Sequence, residues 1–212
     1  VRTITEGWLN RYLTDSDIDA RAESELRALA MQPLLPRSLR GAFPALAVPE
    51  ISADAALDAF ESLYLCEDDR ETEEKNEMNL REKSKNVLSA GRNTIQILRR
   101  FREIVRNQPD GKGYPDSRLG TQMKNIAKVV KAGTGLEIAA LDYNGWDHHA
   151  RQGSTDGTMF NMLKNLSDSI AAFAHDLGPR MNNVLVLTMS EFGRTVRENG
   201  NNGSDHGHGG FM

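Results

Sequence analysis

From Ser117 to Ser190 the chain twice alternates a stretch of helical period with a short, almost unbroken apolar run. Leu119, Met123, Ile126, Ala127 and Val130 recur at three- and four-residue spacing behind Ser117, which suits a helix N-cap, and Gly133 stops the pattern. Leu136-Glu-Ile-Ala-Ala-Leu141 follows at once as a short strand. A second helix is expected from Thr155 or Asp156, with Met159, Leu163, Leu166, Ile170, Phe173 and Leu177 buried and Gly178-Pro179 ending it. Val184-Leu-Val-Leu-Thr-Met189 then reads as a buried strand. Helix, strand, helix, strand in this order predicts an α/β fold with a mostly parallel sheet flanked by helices.

The upstream half is less regular. Trp8, Leu9, Tyr12 and Leu13 fall at helical spacing and predict a short helix with one apolar, core-facing stripe. Asp15, Asp17 and Asp19 alternate as in a calcium loop, but Ala20 stands where such a loop needs glycine, so a solvated turn is the better reading. Glu25 to Met31 alternates polar with apolar and reads as a half-buried strand, ambiguous with helix. Pro33, Pro36, Pro44 and Pro49 punctuate a loop-rich connection with a turn at 38–40 and a strand at 45–48. A helix over 55–65 follows. Residues 67–106 then read as one long amphipathic helix that begins in an acidic block and buries Leu80, Val87, Gly91, Ile95, Leu98, Phe101 and Val105.

A length of 212 residues fits one domain with a sizeable core. The formal net charge of −4 provides no basic field, so no nucleic-acid partner is indicated. No apolar run is long enough for a membrane span. The single cysteine, Cys66, excludes an internal disulfide and a thiolate metal site. The chain starts at Val1 and stops inside a glycine-rich loop, so it reads as a portion of a longer protein, with exposed sheet edges and a tendency to associate. Oligomeric state is left open.

The chemistry is concentrated after the two predicted strands. Four of the five histidines lie either in Asp142-Tyr-Asn-Gly-Trp-Asp-His-His149 or in Ser204-Asp-His-Gly-His208. Ligands of open parallel sheets collect at the carboxyl ends of the strands, so both clusters are expected on one edge. Asp147 with His149, and Asp205 with His206, are carboxylate and imidazole pairs of the kind that hold zinc, manganese or iron(II). Two such pairs point to two divalent metal ions acting on one substrate, against the plainer reading of loop hydrogen-bond pairs. Glu191 and Arg194 read either as a structural ion pair or cap, or as a carboxylate supporting the metal shell and a guanidinium holding an anionic group. Ser190 lacks a neighbouring base and is not in a nucleophile elbow. His208 is a third ligand or polar filler, His148 points away from His149, His175 is a surface residue, and Tyr143 and Trp146 are candidate pocket walls.

Gly145-Trp-Asp-His-His149, Ala172-Phe-Ala-His-Asp-Leu177, Thr188-Met-Ser-Glu-Phe-Gly-Arg-Thr195, Glu198-Asn199 and Gly203-Ser-Asp-His-Gly207 together resemble the DUF1501 family. Gly7-Trp-Leu-Asn-Arg-Tyr-Leu13 and Leu39-Arg-Gly41 also fit, so the resemblance spans nearly the whole chain. It implies membership of the alkaline phosphatase and sulfatase-like superfamily, an alkaline-phosphatase-like sheet, and two divalent metals serving hydrolysis of a small anionic phosphate or sulfate ester. By the same resemblance Asp205 and His206 are ligands of one metal and Asp147 and His149 of the other. His148 replaces the common central threonine between these last two. The nucleophile would lie upstream of Val1, leaving this portion inactive alone, and export through a twin-arginine signal would place the protein in the periplasm or beyond. A binding or surface-assembly module on the same fold is the alternative.

Overall fold

In the computed structural model of the protein, residues 5–15, 26–48 and 78–210 are described. The expected helix over 55–65, the acidic block before residue 78 and the positions of Asp17 and Asp19 lie outside them. The fold is mixed α/β, with four α-helices and a three-stranded parallel sheet among the described residues. The chain divides into two compact units, Val1–Gln108 with Ala132–Leu141, and Pro109–Lys131 with Asp142–Met212.

The first unit is built on β1 (Ala28–Ala30), which runs parallel between β2 (Leu46–Ala47) and β3 (Ile138–Ala140). Leu29 is in register with Leu46 on one side and Ala139 on the other. All three residues of β1 are buried, as are Leu26, Arg27 and Met31. The half-buried strand expected here is therefore a fully buried one, because a central parallel strand is covered on both faces. Ala28 and Ala30, two residues apart, share one face and pack with Leu13 and Leu39. Helix α2 (Met78–Asn107) buries Ile95 and Phe101, with Leu98 and Val105 half-buried, as its period requires, and residues 67–77 of the expected helix lie outside the described residues. The side chains of Leu80 and Val87 lie outside the described part.

Helix α1 (Trp8–Asp15) forms where expected, but its buried face differs. Leu13 and Asn10 are fully buried, while Trp8 and Tyr12 are 52% and 55% exposed. Asn10 occupies the inward position because its amide serves a loop that has no strand partner. Its Nδ2 donates to the carbonyls of Leu39 (2.9 Å) and Phe43 (2.8 Å), and its Oδ1 accepts from the Phe43 amide (3.0 Å). Asn10→Ala would leave three backbone groups without partners, and a loss of about 2–3 kcal/mol is expected in urea unfolding. A loss below about 0.5 kcal/mol would mean that water replaces the side chain.

In the second unit, α3 (Arg118–Lys131) packs on α4 (Thr158–Leu177). The Ser117 hydroxyl accepts from the Gly120 amide at 3.0 Å, the predicted cap, and lies 2.8 Å from Asn165 of α4. The buried side of α3 is wider than its apolar stripe, taking in Gln122, Asn125, Lys128 and Val129. Helix α4 starts at Thr158, after Gly157 at φ 90°, rather than at 155 or 156. Its apolar face is only partly covered, since Leu163 is 47% exposed.

Tyr114 donates to Asp176 Oδ2 (3.1 Å), and Lys131 pairs with Asp176 Oδ1 (2.7 Å). Burial and then the Asp176 charge push the Tyr114 phenol upward. The unfolded chain thus loses the phenol proton first, and stability present below about pH 10 falls as the pH rises past it. Tyr114→Phe is expected to flatten melting temperature against pH between pH 9 and 11. An identical slope in both proteins would refute the assignment.

Val184–Met189 does not form the expected buried strand. Val184 is extended, at φ −120° and ψ 127°, yet Leu185, Val186, Leu187 and Met189 are 86%, 38%, 53% and 66% exposed. An apolar run becomes a strand only where a ladder satisfies its backbone, and no described strand pairs with it.

Candidate metal centre

Two segments of the second unit build the site. The first, from Asp142, is tied to α4 by Tyr143, whose hydroxyl donates to the Met162 carbonyl (3.3 Å) and accepts from Asn165 Nδ2 (3.0 Å). The Trp146 ring packs edge-on against Tyr143 at 5.3 Å. Both aromatics therefore have structural work in this loop. The second segment is a small antiparallel pair, β4 (Gly193–Arg194) and β5 (His206–Gly207), with Arg194 in register with His206. Between them the chain turns through 195–205.

The turn lies directly on the first segment. The Ser204 amide donates to the His148 carbonyl (3.0 Å), and those of Arg151 and Gln152 donate to Asn201 and Asn202. A Cβ at Gly203 would come within 2.3 Å of the His149 carbonyl carbon, so only glycine permits this approach. The consequence is that His149 and Asp205, far apart in sequence, share one surface.

Asp147 is the hub. Its Oδ1 lies 2.9 Å from His206 Nε2, 3.1 Å from His149 Nε2 and 2.6 Å from Arg194 Nη2. Asp147, His149 and His206 each place one ligand atom within 4.8 Å of the other two, and all three side chains are about half exposed. Asp205 is placed differently. Its Oδ1 takes His149 Nδ1 (2.9 Å) and Asn199 Nδ2 (2.9 Å), on the far side of the imidazole.

The hydrogen bond from His206, with lesser help from the charges of His149, His206 and Arg194, holds the Asp147 carboxyl below its ordinary value. The bonds from His149 and Asn199 do the same for Asp205. A lowered carboxylate pKa keeps both groups ionised to lower pH than an ordinary carboxylate, and the bonds they accept weaken as pH falls through the lowered values.

Arg194 acts as a brace. Nη1 donates to the Ser204 carbonyl and Nη2 to the Trp146 carbonyl (2.9 Å) as well as to Asp147. Its guanidinium lies 5.1 Å from the Phe192 ring centre, and Phe192 stacks on His206 at 4.3 Å. Arg194 pairs with Asp147 rather than with Glu191. Glu191 is exposed and makes no hydrogen bond or ion pair among the described residues. The Ser190 hydroxyl donates to the Phe192 carbonyl. His148 and His208 stay outside the cluster, and the His148 Nε2 atom is buried without a partner among the described residues. His175 is exposed, on α4.

The donor set fits a divalent cation. Two imidazole nitrogens and one carboxylate oxygen with open positions suit zinc, manganese or iron(II). The three ligand atoms lie within 4.8 Å of one another, close enough to be reached by one ion. Sequence reasoning found Asp147, His149 and His206. It missed Phe192, Asn199 and Gln152, the last of which holds Ser204 Oγ through its Oε1 (2.5 Å). The turn residues Asn199-Gly-Asn-Asn-Gly203 signalled a tight loop, but not that the Asn199 amide would reach Asp205.

A separate open depression in this unit is lined by Asp110, Lys112, Asp168, His175 and Asp176. Its acids are already matched, Asp110 by Lys124 and Lys128, and Asp176 by Lys131 and Tyr114. The cluster at Asp147 is thus the better candidate.

No curated protein and no solved structure matches the chain. A family model described as a protein of unknown function, DUF1501, matches residues 1–212, and the chain belongs to that family.

Proposed function

We propose that the protein is a metal-dependent hydrolase of small phosphate or sulfate esters, with an alkaline-phosphatase-like core. The observation that carries this reading is the convergence of Asp147, His149 and His206 on one point from segments more than fifty residues apart. The resemblance of the Thr188–Thr195 and Gly203–Gly207 motifs to the sulfatase-like superfamily supports the substrate class.

Asp147, His149 and His206 would hold the ion. A divalent cation there supplies Lewis-acid polarisation of an ester oxygen and eases deprotonation of water. The chain's own residues prepare that chemistry. Arg194 fixes the hub carboxylate while tying down the backbone at Trp146 and Ser204, and Phe192 fixes the plane of the His206 ring. Orientation of this kind lets the ligands bind without rearranging.

A second reading, a cation-holding binding or assembly module, is favoured by one observation. Both terminal nitrogens of Arg194 are engaged within the protein, so this guanidinium is not free to hold an anionic group. The two readings part in one experiment. Protein stripped with chelator is reloaded with zinc or manganese and assayed with p-nitrophenyl phosphate and p-nitrophenyl sulfate. Turnover that vanishes on chelation and returns with metal supports the hydrolase. Metal uptake that raises the melting temperature with no turnover on either ester, both in this chain and in protein extended upstream of Val1, supports the binding module, and no uptake of either ion refutes both.

A further inference from the structure

We propose that Asp205 is a positioning residue rather than a metal ligand, and that with Asn199 it orients His149 so that the centre takes a single divalent cation. This rests on the metal reading above and narrows it.

His149 is gripped from both sides. Its Nδ1 meets Asp205 Oδ1 at 2.9 Å, and its Nε2 faces Asp147 Oδ1 at 3.1 Å. A neutral imidazole has one N–H and one lone pair. With Nδ1–H donated to Asp205, the lone pair on Nε2 is directed toward Asp147, beside His206 Nε2. His206 Nε2 lies 2.9 Å from the same Asp147 oxygen, to which it donates when no ion is bound, so a cation there would take the place of that proton and meet both imidazole nitrogens and the carboxylate oxygen. A carboxylate behind a ligating histidine fixes its tautomer and raises its basicity.

Asp205 is itself fixed. Asn199 Nδ2 donates both to Asp205 Oδ1 (2.9 Å) and to the His149 carbonyl (2.9 Å). Asn199 Oδ1 accepts the amides of Asn201 (2.9 Å) and Gly203 (3.1 Å). The Asn199 amide is thereby locked in one orientation, with its donor side toward Asp205. Asp205 Oδ1 is thus engaged by His149 and Asn199 behind the imidazole, and Asp205 is not among the three residues whose ligand atoms group together.

Binding of Zn²⁺ to the folded protein, measured by isothermal titration with elemental analysis, tests this. The expected result is one ion per chain for the wild type. Asp205→Ala should keep one ion with affinity lower by roughly 10–100-fold, and Asp205→Asn, which retains an acceptor for Nδ1–H, should lie between. Nitrogen NMR of the zinc-loaded wild type should show His149 protonated at Nδ1. Two ions in the wild type, falling to one in Asp205→Ala, would overturn the inference while leaving the hydrolase intact. An unchanged affinity in Asp205→Ala would also overturn it. No ion in the wild type would refute the metal reading itself. If Asp205→Ala does not fold, Asp205→Asn decides: one ion held more weakly supports the assignment, and loss of the ion refutes it.

Discussion

Asp147→Ala is expected to lower zinc or manganese affinity by more than the roughly 10–100-fold that removal of an outer partner costs. Its Oδ1 is the only carboxylate oxygen among the three grouped ligand atoms, so alanine leaves two neutral imidazoles and no charge to attract the ion. The loop itself should persist, because Arg194 still has the carbonyls of Trp146 and Ser204. Competition with a chromophoric chelator measures the affinity, and circular dichroism checks the fold. An affinity within threefold of wild type in a folded variant would remove Asp147 from the centre.

The largest stability effect is expected in the first unit. Arg27 is 1% exposed and its Nε donates to Glu137 Oε1 at 2.8 Å, while its guanidinium lies 4.8 Å from the Phe43 ring centre. Glu137→Ala removes the carboxylate and leaves a buried cation, a change that costs about 3 kcal/mol when other partners persist. Arg27→Met combined with Glu137→Leu should recover at least half of the loss, since an apolar pair of similar volume carries no desolvation penalty. Urea midpoints of the three proteins make the comparison. A loss below about 1 kcal/mol for Glu137→Ala would show that water screens the ion pair.

Local signals in the sequence read well where one residue decides the outcome. Ser117 announces its helix because a hydroxyl can satisfy an amide of the first turn, and Gly178, at φ 54°, ends α4 because few other residues adopt that angle. Signals that depend on a distant partner read poorly. Trp8 and Tyr12 have the spacing of a buried stripe, yet burial went to Asn10, whose value lies in carbonyls some thirty residues away. Val184–Met189 has the composition of a strand, but composition does not provide a ladder. Arg27 offered no sign that it would be among the most buried side chains of its unit, since its ion partner lies 110 residues downstream.

The same distinction governs the site. Residue type was sufficient to nominate Asp147, His149, Asp205 and His206. Their grouping was not legible, because D-x-H and D-H spacings say nothing about which ring nitrogen faces which carboxylate. Sequence paired Asp205 with its neighbour His206, whereas the fold pairs it with His149 and pairs His206 with Asp147. The exchange follows from the Gly203 turn lying across the His149 backbone.

The brace formed by Arg194 has a consequence for how substitutions distribute around the site. Two of its three partners are main-chain carbonyls, those of Trp146 and Ser204, which any amino acid at those positions can offer. In a saturation library selected for metal retention, tolerance and proximity should therefore separate. Positions 146 and 204 should accept residues that keep the backbone path, while Arg194 accepts none, lysine included, because a single ammonium cannot span three acceptors in the plane of a fork. The brace itself thus asks only for main-chain carbonyls at these positions, and the packing of Trp146 on Tyr143 and the bond of Ser204 to Gln152 constrain them separately.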